Sequence, residues 1–451
     1  MADDPRAAYR ARAAAAAAAL RRAAGDAPLG LSRRSSNLFR DRDEPPKHRL
    51  DLSGFDHVIE VDAAAGWVDT EARIEYEALV DATLAHGCMP AVVPQLKSIT
   101  AGGAVAGVGI EATSFRHGLV HDTLLEADVL LADGTVVTAR PDNAHRDLFL
   151  GLANSYGTLG YLLRLRLATV PVRPFVRVEH RRLREPGECV AALQAACDRP
   201  EADFVEAVAF GPEDFVLSVA RFVETAPATS DYGWLRIYHR SLHARAVDHL
   251  HTRDWLWRWD TDWFWCSRNF GAEHLPLRLL LGRRRMNSRT WTRWMRWNAR
   301  HGVSRRLARW RGVHAESVIQ DVDLPFERAA DFLRFLLREI GIVPIWLCPI
   351  RAGDPARPFT LYPLATDTRY LNFGFWDVIE RREPFEPGHF NRRIEQRVIA
   401  DGGIKSLYSD AYFTREVFAR ACRLDAFEAL KTRYDPQRRL LGLYEKCVLR
   451  A

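Results

Sequence analysis

Apolar positions along the chain follow two patterns, one typical of strands and one typical of helices. Short apolar runs predict strands at residues 58–61, 67–74, 89–93, 124–131, 135–139 and 161–170. Wider helical spacing predicts helices at residues 4–24 and 76–85. Asp133-Gly134 separates two of these strands and is typical of a type I′ hairpin turn. Because strands and helices come in mixed order, the fold class that we predict is α+β.

Length and composition indicate a globular protein of two domains. The chain has 451 residues, 47% of them apolar and 27% charged, and a net charge of +6 that is too mild to require a polyanionic partner. The seven cysteines are scattered and form no C-x-x-C pair, which favours a reducing compartment and argues against a zinc site. Residues 13–20 are apolar, but they are too few to span a bilayer. We therefore expect a cytoplasmic protein that associates with membranes only peripherally.

Residues 100–118, TAGGAVAGVGIEATSFRHG, are unusually rich in glycine. Gly107, Gly109 and Ala112 have the spacing of a Rossmann fingerprint, but Pro94 interrupts the approach and no room remains for the long helix that must follow. A second hypothesis is a loop whose glycines take positive φ, so that amide groups contact a flavin. A third is a turn that only packs closely against another strand. Local sequence does not decide between the last two.

Further segments in a fixed order resemble a known family. They are Pro94, Thr100–Gly103, Gly107–Glu111, Gly118-Leu119, Leu130–Gly134, Asp147–Phe149, Gly157–Gly160, His251–Arg253, Pro344–Pro349 and Ser406–Tyr412. Together they resemble the FAD-linked oxidoreductases of the vanillyl-alcohol-oxidase/para-cresol-methylhydroxylase (PCMH) superfamily, and within it the delta(24)-sterol reductase-like branch. The resemblance covers most of residues 50–451.

The resemblance implies a domain organisation. Residues 1–172 would form a PCMH-type FAD-binding domain of two subdomains with a shortened N-terminus. Residues 173–400 would form an α+β substrate or cap domain, and residues 401–451 would complete the active site.

The resemblance also implies which residues bind FAD. In the family, a first phosphate loop, the glycine segment and a Gly-Thr-Leu-Gly segment surround the cofactor. The matching residues are Ser36, Asn37, Leu38, Arg40, Thr100, Ala101, Gly102, Gly103, Gly107, Gly109, Ile110, Glu111, Gly157, Thr158 and Gly160. The first loop contains no histidine, so we expect non-covalent FAD.

The implied activity is FAD-dependent reduction of a carbon–carbon double bond in a lipid, with NADPH as electron donor. The substrate would be a methylene or unsaturated acyl chain, giving a methyl-branched fatty acid, or a sterol-like alkene. A lipid-modifying methyltransferase of the same pathway is a further expected partner. One alternative is a lipid desaturase or alcohol oxidase that works in the oxidative direction. Another is a non-enzymatic membrane or nucleic-acid binder with a vestigial flavin fold.

Reduction of an isolated alkene needs a proton donor in a site from which water is excluded. If residues 405–412 form a strand, Tyr408, Asp410 and Tyr412 share one face. Tyr408 or Tyr412 could then be the acid, oriented by Asp410, although packing alone would also explain the tyrosines. Arg253 could contact the substrate or a cofactor phosphate, or could form a surface ion pair.

Glu111, two residues after Gly109, has two interpretations that the sequence leaves open. Its carboxylate could contact the flavin, or it could form a salt bridge with Arg116 inside the loop.

Residues 251–312 contain nine tryptophans, fifteen arginines, four acidic residues and no lysine. This composition is typical of a membrane-interface patch, with Arg283–Arg285 and the helical series Trp291, Trp294 and Trp297 as the expected contact. A nucleic-acid surface fits the same residues less well, and we expect no nucleic-acid partner. Alternatively, the tryptophans form the core of the substrate domain and the arginines form its solvent-exposed face.

Overall fold

A computed structural model describes residues 4–22, 28–32, 48–351 and 353–449 of the chain. Two antiparallel sheets with helices packed on them make up most of this part, so the predicted α+β class is confirmed. The predicted FAD-loop residues Ser36, Asn37, Leu38 and Arg40 lie outside the described residues.

The first half of the chain forms a six-stranded antiparallel sheet and a small parallel pair. The pair consists of β1 (Leu29–Leu31) and β2 (His48–Leu50). The strands of the larger sheet are β3 (Val58–Asp62), β4 (Trp67–Glu71), β5 (Cys88–Pro90), β6 (Leu124–Leu130), β7 (Val136–Ala139) and β8 (Tyr161–Pro171). Its order is β3-β4-β8-β6-β7, and β5 also pairs with β8. The helices of this half are α1 (Pro5–Arg22), α2 (Tyr76–Leu84), α3 (Ala101–Ala106), α4 (Ser114–His117) and α5 (Arg146–Gly151).

The second half forms an eight-stranded antiparallel sheet of order β12-β9-β11-β10-β14-β15-β13-β16. Its strands are β9 (Phe175–Leu183), β10 (Phe204–Gly211), β11 (Asp214–Val223), β12 (Val247–His251), β13 (His314–Pro325), β14 (Ile345–Arg351), β15 (Arg369–Arg381) and β16 (Ile404–Lys405). The helices between and after them are α6 (Pro186–Cys197), α7 (Tyr238–Ala244), α8 (Thr252–Leu256), α9 (Leu275–Leu281), α10 (Ser288–His301), α11 (Val303–Trp310), α12 (Phe326–Phe335), α13 (His389–Ala400), α14 (Arg415–Ala421), α15 (Leu424–Tyr434) and α16 (Leu443–Cys447).

The predicted β6–β7 hairpin is confirmed, but its turn is not type I′. Within the turn only Gly134 has a positive φ, +85°, whereas a type I′ turn needs two such residues. The N–H of Gly134 donates to the carbonyl of Leu131 at 3.0 Å, and the N–H of Leu131 donates to Thr135 at 2.8 Å. The connection is therefore a type I turn that ends in a left-handed glycine, which also matches the strand twist.

The glycine stretch begins with a short helix rather than a loop. The Thr100 hydroxyl accepts the N–H of Gly103 at 3.2 Å and caps α3, which contains Gly102 and Gly103. None of the four glycines from 102 to 109 has a positive φ, so the expectation of a left-handed loop was wrong.

These glycines permit close packing. A Cβ at Gly102 would lie 2.9 Å from the Cβ of Ala72, and a Cβ at Gly109 would lie 2.8 Å from Cγ2 of Val120. The helix can therefore lie directly on the backbone that follows β4, as only glycine allows.

The C-terminal tyrosine segment is not the strand that its alternation predicted. Pairing ends with β16 at Lys405, and Tyr408 lies in the turn that follows. The buried ammonium of Lys405 explains the break, because it donates to Glu395 at 2.6 Å and to the carbonyl of Asp410 at 2.7 Å. The chain folds around this cation instead of continuing as a strand.

Most of the tryptophan-rich segment is core. Six of its nine tryptophans are buried: Trp255, Trp257, Trp259, Trp263, Trp265 and Trp291. Trp291 is fully buried and its indole N–H donates to Thr261 at 2.8 Å, whereas Trp297 on the same helix is 57% exposed. Six residues along a helix correspond to a rotation of about 240°, so these two side chains cannot share a face. The prediction that Trp291 contacts a membrane was wrong.

Across the described ranges, no helix is both long enough and apolar enough to cross a bilayer.

Candidate active site

A cleft with a volume of about 320 Å³ is lined by residues from nearly the whole length of the chain. One group of lining residues comes from β1 and β2, a second from the glycine stretch and residues 152–162, and a third from aromatic residues around β14 and β15. Eight residues predicted to bind the cofactor line this cleft: Thr100, Gly102, Gly103, Gly107, Gly109, Ile110, Gly157 and Gly160.

Two other predicted cofactor residues lie behind the cleft wall. Ala101 is fully buried, and the hydroxyl of Thr158 donates to the carbonyl of Ser155 at 2.7 Å. Both support the wall and do not form its surface.

Several glycines form part of the cleft wall. A Cβ at Gly107 would lie 2.7 Å from the carbonyl oxygen of Gly103 and 3.4 Å from the ring of Tyr156. Gly160 has φ +154°, and a Cβ there would lie 2.5 Å from Cγ1 of Val129. A side chain at either position would collide with these neighbours, so only glycine lets the wall keep this backbone path.

Three cationic side chains also line the cleft: Arg49, Arg73 and Lys446. The Lys446 ammonium donates to the carbonyl of Tyr156 at 2.5 Å, which fixes it beside the glycine wall. The amide oxygen of Gln95, a lining residue that is 3% exposed, has no hydrogen-bond partner among the described residues. Buried polar atoms are nearly always satisfied, so this oxygen points to a ligand with a donor group.

Tyr408 and Asp321 form the candidate acid of the site. Both line the cleft, and the Tyr408 hydroxyl hydrogen-bonds to the Asp321 carboxyl and accepts the indole N–H of Trp376 at 2.8 Å. Burial raises the pKa of Asp321 to about 7, and it raises the pKa of Tyr408 well above its usual value. The pair therefore holds a proton near neutral pH at the cleft surface.

The strand register places Asp321 in this position. Asp321 on β13 faces Gly374 on β15, and a Cβ at Gly374 would lie 2.7 Å from both Oδ1 of Asp321 and the ring of Trp376. Only glycine therefore lets the carboxyl and the indole approach each other. Asp323, two residues on, is held by the Tyr362 hydroxyl and the Asn372 amide at 2.5 and 2.7 Å.

A buried charge network lies behind the aromatic wall. The guanidinium of Arg258 pairs with Glu206 at 2.9 Å and with Glu111 at 3.1 Å. The second oxygen of Glu206 accepts the indole N–H groups of Trp346 and Trp259 at 2.8 and 3.3 Å. Since Trp346 lines the cleft, Glu206 fixes the orientation of an aromatic ring in the cleft wall.

Glu111 is part of this network and does not lie on the cleft surface. Its partner is Arg258, whereas Arg116 donates to the carbonyl of Ala202 at 2.7 Å. Neither direct flavin contact nor an Arg116 salt bridge, the two interpretations left open by the sequence, describes this residue. Burial raises the pKa of Glu111 to about 7 against the opposing effect of the Arg258 charge.

The other predicted catalytic residues lie outside the cleft lining. Arg253 forms an ion pair with Asp81 at 2.6 Å on the outer surface. The ring of Tyr412 packs on Gly388, and Asp410 contributes its carbonyl to Lys405. Of the four, only Tyr408 lies with the cofactor residues, and Asp321 occupies the orienting role expected of Asp410.

Comparisons with known proteins give this geometry its context. Residues 12–140 match the profile of a family described as "FAD binding domain". The Delta(24)-sterol reductase of Pisum sativum is 24% identical over 440 residues, an alignment that covers 88% of this chain and 76% of the relative. The Delta(24)-sterol reductase of Homo sapiens is 23% identical, with 88% and 77% coverage. Cytokinin dehydrogenase 7 of Oryza sativa subsp. japonica is 33% identical over 114 residues, or 25% of this chain and 22% of the relative.

The chain is a FAD-linked oxidoreductase. It is similar to delta(24)-sterol reductases over 88% of its length, and residues 12–140 carry the match to the FAD binding domain.

The cleft of this oxidoreductase fits FAD. The glycines within 102–109 and 157–160 leave parts of the wall without side chains, and the three lining cations offer charge opposite to that of a pyrophosphate. The aromatic rings of Trp263, Phe264 and Trp376 also line the cleft and suit contact with a flat ring system. These groups would hold the cofactor.

Sequence reasoning missed the residues of this oxidoreductase that come from distant parts of the chain. Asp321, Trp376 and Lys446 line the cleft, but none lies in a recognisable motif. β13 carries three acids, Glu316, Asp321 and Asp323, among its apolar residues, so the sequence of the strand did not single out Asp321.

Proposed function

We propose that the protein reduces a carbon–carbon double bond of a lipid, using FAD as bound cofactor and NADPH as electron donor. Two alkene classes fit the cleft chemistry, a sterol side chain and an unsaturated or methylene-bearing acyl chain. The names of the relatives support the first class, since both cited reductases are named for a sterol.

The observation that carries the proposal is the Asp321–Tyr408 pair. An isolated alkene lacks a carbonyl that would polarise it, so its reduction requires an acid held where water is scarce. Tyr408 donates the proton from its hydroxyl oxygen to one alkene carbon, and the protonated Asp321 carboxyl restores that proton through their hydrogen bond. An oxidase acting on an alcohol would need a base at this position, and a carboxyl that stays protonated to about pH 7 is poorly suited to that role.

The aromatic lining supports the same reaction. Positive charge develops at the other alkene carbon as the proton arrives, and the π-faces of Trp263, Phe264 and Trp376 stabilise it while excluding water. Bound FAD supplies hydride chemistry for that carbon. Net addition of one proton and one hydride gives the saturated chain.

The test uses the full chain loaded with FAD and assayed anaerobically with NADPH. A sterol with a side-chain double bond and a phospholipid with a methylene-bearing acyl chain are offered in separate reactions. We expect one of them to gain two hydrogens by mass spectrometry. Tyr408→Phe is expected to lower kcat by about 10²-fold or more with an unchanged flavin spectrum.

Tyr412→Phe is the matched control, because this tyrosine packs on Gly388 away from the cleft and its loss leaves kcat unchanged. The proposal is wrong if neither alkene is reduced while saturated lipids are desaturated with an electron acceptor. Equal kcat values for the two tyrosine variants would refute the role of Tyr408.

A further inference from the structure

The segment from α9 to α11 combines strong positive charge with a complete lack of acids. Residues 274–315 contain twelve arginines and no aspartate or glutamate. Part of this charge is neutralised by residues elsewhere: Arg278 pairs with Asp262, Arg283 with Asp231, Arg289 with Glu75 and Glu77, and Arg311 with Glu380. Exposed arginines such as Arg284, Arg285 and Arg300 have no carboxylate neighbour within the segment itself.

The same segment exposes large apolar side chains. Seven of the twelve exposed large hydrophobic residues among the described ranges lie within it: Leu275, Leu279, Leu280, Trp297, Val303, Leu307 and Trp310. Trp310 is 83% exposed and Leu280 is 77% exposed. Isolated exposed apolar residues are common, but a concentration of this kind indicates an interaction surface.

Helical spacing orders these residues. Val303, Leu307 and Trp310 follow the i, i+4, i+7 pattern of one helix face, yet that face is exposed while Ala308 is buried. Leu275 and Leu279 repeat the arrangement on α9, whose inner side carries the buried Arg278 and Leu281. Helices α9 and α11 thus each expose a row of apolar side chains, and both lie in a strongly basic segment.

The segment is anchored next to the cleft. The carboxylate of Asp260 accepts the N–H of Lys97 at 2.8 Å and the N–H of Ser288, the first residue of α10, at 3.3 Å. Leu96 and Ile99, on either side of Lys97, line the cleft. The start of α10 is therefore fixed to the cleft wall.

We infer that residues 275–310, named here the α9–α11 surface, dock the protein on an anionic lipid bilayer. Apolar side chains including a tryptophan enter the interfacial region, and arginines meet lipid phosphates. Because residues 274–315 contain no acidic residue, the segment is positively charged, opposite to the charge of such a membrane. This inference does not depend on the substrate proposed above. It replaces the predicted contact through Trp291 with one through Leu280, Trp297 and Trp310.

The experiment measures co-sedimentation of the full chain with vesicles of phosphatidylcholine, alone or mixed with phosphatidylglycerol, at low and high salt. We expect binding to the mixed vesicles that salt weakens. The double variant Leu280→Ser/Trp310→Ser should bind at least about tenfold more weakly. Arg284→Gln and Arg285→Gln should each weaken binding about fivefold at low salt.

Matched controls lie elsewhere on the surface. Leu449 and Val378 are 55% and 48% exposed, so Leu449→Ser/Val378→Ser removes similar apolar surface and should leave binding unchanged. Circular dichroism melting verifies that each variant is folded. Equal binding by test and control variants overturns the inference. The inference is also overturned if phosphatidylglycerol does not change vesicle binding, or if the protein binds double-stranded DNA more tightly than vesicles. Self-association through the same residues without vesicle binding would overturn it as well.

Discussion

Single residues set the chemistry of the cleft, and Asp321 is the clearest example. Its carboxyl lies beside the Tyr408 hydroxyl, and burial raises its pKa to about 7 from an ordinary value near 4. A carboxyl that keeps its proton near neutral pH can supply it to a neighbour. The same environment makes the ionised form of Asp321 unfavourable to the folded protein.

The first consequence is a pH dependence of activity. Turnover requires protonated Asp321, so we expect kcat to fall as pH rises through about 7. Asp321→Asn removes this proton and should abolish most of the activity at every pH. A kcat profile between pH 5 and 9 measures the effect. A rate that rises across this range would show that the group acts as a base.

Stability should follow the same titration. Between about pH 4 and pH 7 the unfolded chain has lost the Asp321 proton that the folded chain keeps, so the free energy of unfolding falls as pH rises. Each unit of pKa shift corresponds to about 1.4 kcal/mol at most. Asp321→Asn should therefore raise Tm at pH 8. Burial also raises the pKa of Asp323 to about 6 and that of Glu111 to about 7. Because these two groups still titrate in Asp321→Asn, its free energy of unfolding should fall with pH less steeply than that of the unmodified protein.

At the scale of elements, the pairing of β13 with β15 positions the Asp321 carboxyl. Asp321 and Gly374 are directly opposite in the register, and Trp376 follows two residues later on the same face. The sheet thus delivers the carboxyl and the indole to one place, and the turn after β16 adds Tyr408. A small change at Gly374 should disturb all three groups.

Gly374→Ala tests this arrangement. The new Cβ would lie 2.7 Å from Oδ1 of Asp321 and from the Trp376 ring, so one of them must move. We expect kcat to fall about tenfold or more, because small displacements of catalytic groups are costly. Gly211→Ala is the control, since the nearest atom to its Cβ is 4.0 Å away. Unchanged kcat in both variants would show that the Asp321 position is not critical.

Individual helices and strands were predictable from the sequence, whereas contacts between residues distant in the sequence were not. Strands β6 and β7 and helices α1 and α2 follow from period and turn signals that need only neighbouring residues. Asp321 meets Trp376 through the pairing of β13 with β15 and Tyr408 through the pairing of β13 with β16, and no local pattern encodes either pairing. The buried Lys405 ended the predicted strand at 405–412, because satisfying a buried charge outweighs alternation.

At the scale of the whole molecule, the cleft joins the two halves of the chain. Its lining includes Leu29 from β1, Trp346 from the second sheet and Lys446 from α16. The buried ammonium of Lys431 donates to the carbonyl of Thr158 at 2.7 Å and to that of Leu440 at 2.8 Å, which ties the C-terminal helices to the glycine wall. A ligand in the cleft therefore contacts all of these parts.

We expect FAD to stabilise the entire fold. A ligand that binds only the native state, present at 100 times its Kd, raises the free energy of unfolding by about 2.7 kcal/mol. Thermal melting with and without FAD measures the shift, and one cooperative transition should move as a unit. FMN, which lacks the adenine half, should give a smaller shift. A flavin-loaded protein with an unchanged Tm would contradict this account of the cleft.

The wide spread of the lining residues also has a consequence for biosynthesis. A ribosome adds roughly 5 to 20 residues per second, so Leu29 emerges about 20 to 80 seconds before Lys446. A nascent chain thus carries the glycine wall long before the last cation beside it exists. The complete flavin site therefore forms only after Lys446 has been added, and newly made apoprotein has to persist without cofactor until flavin binds. Cells short of riboflavin should consequently accumulate a form that proteases degrade faster than the loaded enzyme.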